Sequence, residues 1–155
     1  MVLQAGATAP DFTLKSSKME DVTLSKLRGK PVLLLFVPLA FTPTWTKEFG
    51  IVQSRLQEFK KLGEIFGISV DSPFSLAKWA EFEKFPDVPL LSDIGKEAAS
   101  AYGVLNPDVR GMKGIAKRSA FLVDKQGKVV KSQLVEVAGD IPDLDGFLAE
   151  MKKLA

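Results

Sequence analysis

The stretch Phe36–Gly50, FVPLAFTPTWTKEFG, decides how this chain is read. Before it stands Val32 to Val37, six apolar residues rich in β-formers. A run of that length and kind predicts a central strand buried on both faces. After it, Phe49, Val52, Leu56, Phe59 and Leu62 recur at spacings of three and four, which predicts one helix with one apolar stripe. Between strand and helix lies the Thr42-Pro43-Thr44-Trp45 turn. In α/β sheets, binding sites form past the carboxyl ends of strands, where the next helix begins. The first-turn N–H groups and the helix dipole favour negative charge there. The residue at that spot is Trp45, whose indole cannot use such a field.

Working outward, the elements alternate. Phe12 with Leu14, and Val22 with Leu24, alternate with polar neighbours and predict a small N-terminal hairpin. Glu64 to Asp71 reads as a second buried strand, closed off from the first helix by Gly63 as a C-cap. Ser72-Pro73 opens a helix carrying Leu76, Trp79 and Ala80. Trp79 reads as core or interface. VPLLSD is a short strand, and Asp93 is placed to cap a helix from Ile94 to Tyr102. Ala120 to Val123 and Val129 to Val137 flank the turn Asp124-Lys125-Gln126-Gly127, a second hairpin. Pro142 opens a last helix with Leu144, Phe147, Leu148, Met151 and Leu154 on one face. The order β-β, β-α-β-α, β-α, β-β-α predicts an α/β protein with a mixed central β-sheet flanked by α-helices and an N-terminal β-hairpin. The layout is that of a thioredoxin-like fold, in one domain over residues 1–155.

Composition narrows the chemistry. Of 155 residues, 46% are hydrophobic and 26% charged, with a net charge of +2, ordinary for a globular chain. Basic residues come only in short pairs such as Lys60-Lys61, Lys117-Arg118 and Lys152-Lys153, so nucleic-acid binding is not expected. No apolar run approaches the ~20 residues of a membrane span, and no signal-like leader is seen. A cytoplasmic protein is expected. There is no cysteine and no histidine, which removes thiolate and imidazole chemistry and most zinc and haem sites. Neither metal nor cofactor is expected. Ser, Thr, Tyr, Lys, Asp and Glu remain as candidates. The hydroxyls of Thr44 and Thr46 have no base in sight and are discounted as nucleophiles.

PLAFTPTWTKEF resembles the active-site loop of the peroxiredoxins, in which a proline is followed after three residues by a threonine and after two more by a cysteine. Pro38 and Thr42 match; Trp45 stands where the cysteine is expected. The similarity runs along nearly the whole chain, through GATAPDFTL, FGISVDSPFSLAKWAEF and RSAFLVDKQGKVV. Arg118 falls where the family places its active-site arginine. The resemblance implies a thiol peroxidase scaffold acting on hydrogen peroxide and organic hydroperoxides. It also implies a thiol reductant and a homodimer. Thr42 would position the peroxide, Arg118 would lower the thiol pKa and polarise the O–O bond, Pro38 would shield the site, and Glu48 would hold the arginine. Taken alone, Thr42 reads as a helix N-cap, and an acid such as Glu48 in a first helical turn is favourable by itself. Trp45 carries no sulfur, so thiol peroxidase activity is not expected of the chain as it stands. Cysteine and tryptophan codons differ by one base, as do those of tryptophan and selenocysteine. A substituted chain, an inactive relative and a misread selenoprotein all fit. The competing reading is a non-enzymatic binding protein on the same scaffold, with Trp45 as an interface anchor.

Overall fold

A computed structural model describes residues 1–155. The central strand, β3 (Val32–Phe36), is buried along its whole length. Its alternate side chains enter two separate cores. Leu33 and Leu35, followed by Val37, join one cluster with Phe49, Val52, Phe59, Leu76, Trp79 and Phe147. Val32, Leu34 and Phe36 join the other with Phe12, Phe66, Ile68, Tyr102 and Phe121. Each such side chain contributes about 1.5–3 kcal/mol by leaving water, so the strand is held from both sides.

Seven strands form the sheet. They are β1 (Thr13–Ser16), β2 (Asp21–Thr23), β3, β4 (Glu64–Ser69), β5 (Leu90–Ser92), β8 (Ser119–Val123) and β9 (Val129–Leu134). Their order is β2-β1-β5-β4-β3-β8-β9. Strands β3, β4 and β5 are parallel, whereas β1–β2, β1–β5, β3–β8 and β8–β9 are antiparallel. This is the mixed sheet expected, with the N-terminal hairpin in place. Helices α1 (Pro43–Ser54), α2 (Leu56–Leu62), α3 (Pro73–Glu83) and α5 (Leu144–Leu154) contribute to the first cluster, and α4 (Glu97–Ala101) to the second. No helix is long and apolar enough to cross a membrane.

Three expectations are corrected, and one element is new. The single helix over Phe49 to Leu62 is two, broken at Arg55, whose φ of −114° and ψ of 15° leave the helical region. Just before the break, the Ser54 hydroxyl donates to the Ile51 carbonyl, a local bond that competes with the helical ladder. The Arg55 side chain pairs with Glu58 and with Asp145 of α5. The helix expected from Ile94 begins at Glu97, because Asp93 reaches forward to accept from the N–H groups of Ala98 and Ala99 at 3.0 and 2.8 Å. It caps the helix from a greater distance than an ordinary N-cap. Strand β9 ends at Leu134 rather than Val137. A two-stranded ribbon, β6 (Leu105–Asn106) with β7 (Ile115–Ala116), was not foreseen, since two residues are too few to show alternation. Gly63 does follow α2, but in extended backbone at φ 174°. What demands glycine there is the Pro31 carbonyl, which a Cβ would overlap.

Helix α1 rests on β4 through one small residue. A Cβ on Gly67 would lie 2.5 Å from the Phe49 ring. Gly67→Ala is therefore expected to lower stability by about 1–3 kcal/mol through overpacking. Chemical denaturation would measure it; an unchanged midpoint would show that α1 yields at no cost.

Candidate active site

The loop leaving β3 is fixed before the helix starts. The Ala40 N–H donates to Asp71 Oδ2 at 2.9 Å, and the Ser69 hydroxyl donates to the same oxygen at 2.8 Å. Asp71 lies just past the end of β4, so two neighbouring strand ends are tied together. Phe41 takes a left-handed φ of 65°, uncommon for an aromatic residue. Thr42 stands at the N-cap position with extended backbone, yet its side chain caps nothing. Its hydroxyl turns back and donates to the Leu39 carbonyl at 3.0 Å. The capping reading of Thr42 is thus corrected. The hydroxyl oxygen keeps its lone pairs for an incoming donor.

Pro38, Thr42 and Arg118 border one cleft of about 470 Å³. Thr44, Lys117, Val109 and the segment Leu134–Gly139 complete much of its wall. The pairing of β3 with β8 explains the arginine's place. Phe36 lies opposite Ser119, so one step further along the register Arg118 stands across from Val37, beside the departing loop. The Arg118 carbonyl in turn accepts from the Val135 N–H at 2.9 Å, which draws the segment after β9 to the same place. That segment and Asp71 were not singled out from sequence. Asp71 was legible in principle as a polar residue at a strand's carboxyl end, whereas residues 134–139 read as a plain strand continuation.

Glu48 lies beneath the cleft, fully buried, and accepts from the Arg118 guanidinium at 2.8 Å. Its second oxygen has no partner. Burial pushes its carboxyl up to about 7, against the opposing pull of Arg118.

Trp45 does not border the cleft. It has no exposed surface, stacks on Trp79 with ring centroids 4.6 Å apart, and meets Phe49 edge-on at 5.7 Å. Neither indole N–H of the Trp45–Trp79 pair has a hydrogen-bond partner. Helical spacing accounts for this: Trp45, Glu48, Phe49 and Val52 form the inward stripe of α1. Thr46 Oγ1 bonds to Glu83 at 3.3 Å, on α3, so it too is engaged in holding helices together.

A thioredoxin-like sheet carries, at the end of its central strand, a loop with this proline and threonine beside a buried Glu–Arg pair. Residues 5–132 match the model of the AhpC/TSA family. Mouse peroxiredoxin-2 is 37% identical over 134 residues, covering 80% of this chain and 66% of its own. Alkyl hydroperoxide reductase E of Mycobacterium bovis is 39% identical over 146 residues, 92% of either chain. The crystal structure of peroxidoxin BcpB from Mycobacterium tuberculosis superposes with a TM-score of 0.86 at 33% identity over 99% of each chain. The chain belongs to the peroxiredoxin family. It spans just under two thirds of the length of the mouse protein.

The Glu48 carboxyl has a testable signature. Burial holds its pKa at about 7 in the folded protein, against 4.5 for an ordinary glutamate. Between those values the folded protein holds a proton that the unfolded chain has released. The resulting stabilisation is full below pH 4.5 and is lost as pH rises through 7. Relative to Glu48→Gln, the original chain is expected to lose about 1–3 kcal/mol between pH 5 and pH 8. Denaturant melts of both across that range would check it; parallel profiles would place the Glu48 proton elsewhere.

Proposed function

We propose that this chain is a peroxiredoxin-type scaffold in which Trp45 fills the peroxidatic position, and that it lacks thiol peroxidase activity as it stands. The observation that carries this reading is the presence of the loop and its cleft around a position that holds no sulfur. Pro38, Thr42 and Arg118 share one cleft, while Trp45, in the first turn of α1, is fully buried and no cysteine exists anywhere in the chain. With a cysteine at this position, the thiolate would attack one peroxide oxygen and the O–O bond would break. The sulfur would become a sulfenic acid, and the departing alkoxide or hydroxide would take a proton. Thr42 would accept a hydrogen bond from the peroxide, Arg118 would stabilise the developing negative charge, and Pro38 would limit water. Glu48 would hold the guanidinium in place. Peroxide and a thiol reductant would be the partners of such a site. Neither cofactor nor metal enters this chemistry, and a cytoplasmic location suits it.

A homodimer is the assembly we propose, in one domain per chain. Trp45, fully buried, is not available as its anchor, so that part of the interface reading is corrected. The exposed pair Phe41 and Phe82, 52% and 69% accessible with centroids 5.8 Å apart, is better placed.

Restoring the sulfur tests the reading. Trp45→Cys removes a buried ring and is expected to cost on the order of 3–5 kcal/mol of stability, so circular dichroism must first establish that it is folded. With dithiothreitol as reductant, the folded variant is expected to consume hydrogen peroxide orders of magnitude faster than a free thiol, and the original chain not at all. Turnover by the original chain, or a free-thiol rate in the folded variant, would sink the proposal.

A further inference from the structure

The cleft is larger than a peroxide requires. Its volume of about 470 Å³ lies within the ~300–1,000 Å³ typical of small-molecule sites. One part of its wall is cationic, formed by Arg118, nine-tenths buried, and half-buried Lys117. Pro38, Val109, Leu134 and Val137 give it apolar surface. Arginine presents five N–H donors, and among side chains only Glu48 takes one here, from the Nη1 nitrogen. The guanidinium therefore retains donors for a second oxyanion. The one acid on the cleft wall, Glu136, is exposed, where solvent and salt screen it. The one acid in contact with Arg118 is Glu48, behind it.

We propose that this cleft binds a short aliphatic monocarboxylate, with the carboxylate against Arg118 and Lys117 and the alkyl chain along Pro38, Val109 and Val137. The site requires no sulfur at position 45, so it goes beyond the peroxidase reading and stands or falls separately from it. The carboxylate supplies the charge-assisted bonds that a neutral ligand of the same shape lacks. The chain supplies apolar contact that a two-carbon acid lacks. Glu48 competes for the same guanidinium, so its neutral replacement strengthens binding.

Calorimetric titration of the original chain with hexanoate, hexanamide and acetate decides the matter. Hexanoate is expected to bind about tenfold or more tighter than either of the others. Glu48→Gln is expected to tighten hexanoate severalfold. The double variant Glu48→Gln/Arg118→Gln, which leaves no buried charge unpaired, is expected to bring hexanoate down to hexanamide. Should that variant fail to fold, Lys117→Gln and Val137→Asp keep the test open at less buried positions. Lys117→Gln should weaken both acids, and Val137→Asp should weaken hexanoate more than acetate. Equal binding of hexanoate and hexanamide overturns the proposal. So does hexanoate binding that none of these substitutions alters. Peroxide consumption by Trp45→Cys is read in a separate assay and bears on neither outcome.

Discussion

A strand buried on both faces requires two layers of cover, and β3 obtains them by sending alternate residues into two cores. Its neighbours follow from that demand. The parallel β4 brings the crossover helices with it, and the antiparallel β8 closes the other side. The strand also ends sharply. Val37 still donates to Ile68 across to β4, but Pro38 has no N–H to give. The chain leaves the sheet there, and the carboxyl end of β3 becomes the floor of the cleft. The registers with β4 and β8 then deliver the rest. Asp71 arrives past the end of β4 to pin the loop at Ala40, and Arg118 arrives just before the start of β8.

The Glu48–Arg118 pair joins α1 to that sheet edge. A buried ion pair is weak support for stability in itself, because both charges lose water, yet breaking it by removing one partner is strongly unfavourable. Here one Glu48 oxygen has no partner, so desolvation outweighs the attraction of Arg118 and the carboxyl titrates near neutrality. The charge of the cleft wall is thus set partly by a group that does not itself line it. At the acid end of this range Arg118 stands as a free cation; at the alkaline end it is neutralised from behind.

Much of this was legible from local chemistry. The apolar run Val32–Val37, the turn at Thr42-Pro43, the hairpin around Gly127 and the stripe on α5 each carried a signal in their own residues. Pro38, Thr42, Glu48 and Arg118 were legible instead through the resemblance of their loop and strand start to a family pattern, and the fold brings them to one place. What was not legible depends on partners distant in sequence. The break at Arg55 contains neither Gly nor Pro, and it involves a partner on α5. The late start of α4 reflects a cap reaching forward to Ala98 and Ala99, which spacing rules do not anticipate. Residues 135–139 keep the composition of a strand, but β8 begins at Ser119 and offers no further ladder. The tie from Val135 to Arg118 holds them at the cleft.

The inward stripe of α1 explains why the side chain at position 45 lies in the core while Pro38, Thr42 and Arg118 border the cleft. Residues 45, 48, 49 and 52 face the sheet and α3, whereas Thr42 and Thr44 border the cleft. A side chain at position 45 therefore has two possible neighbourhoods. A small one could remain at the boundary, within reach of the helix N-terminus and the loop. The large aromatic one present lies in the core, where it stacks on Trp79 and meets Phe49 edge-on. The apolar gain is offset by two unpartnered indole N–H groups, each costing about 1–3 kcal/mol. The ring thus lies in the core and not among the residues that border the cleft, Pro38, Thr42 and Arg118 among them. The two neighbourhoods are nonetheless joined, because Glu48, on the same inward stripe as Trp45, bonds Arg118 at the cleft.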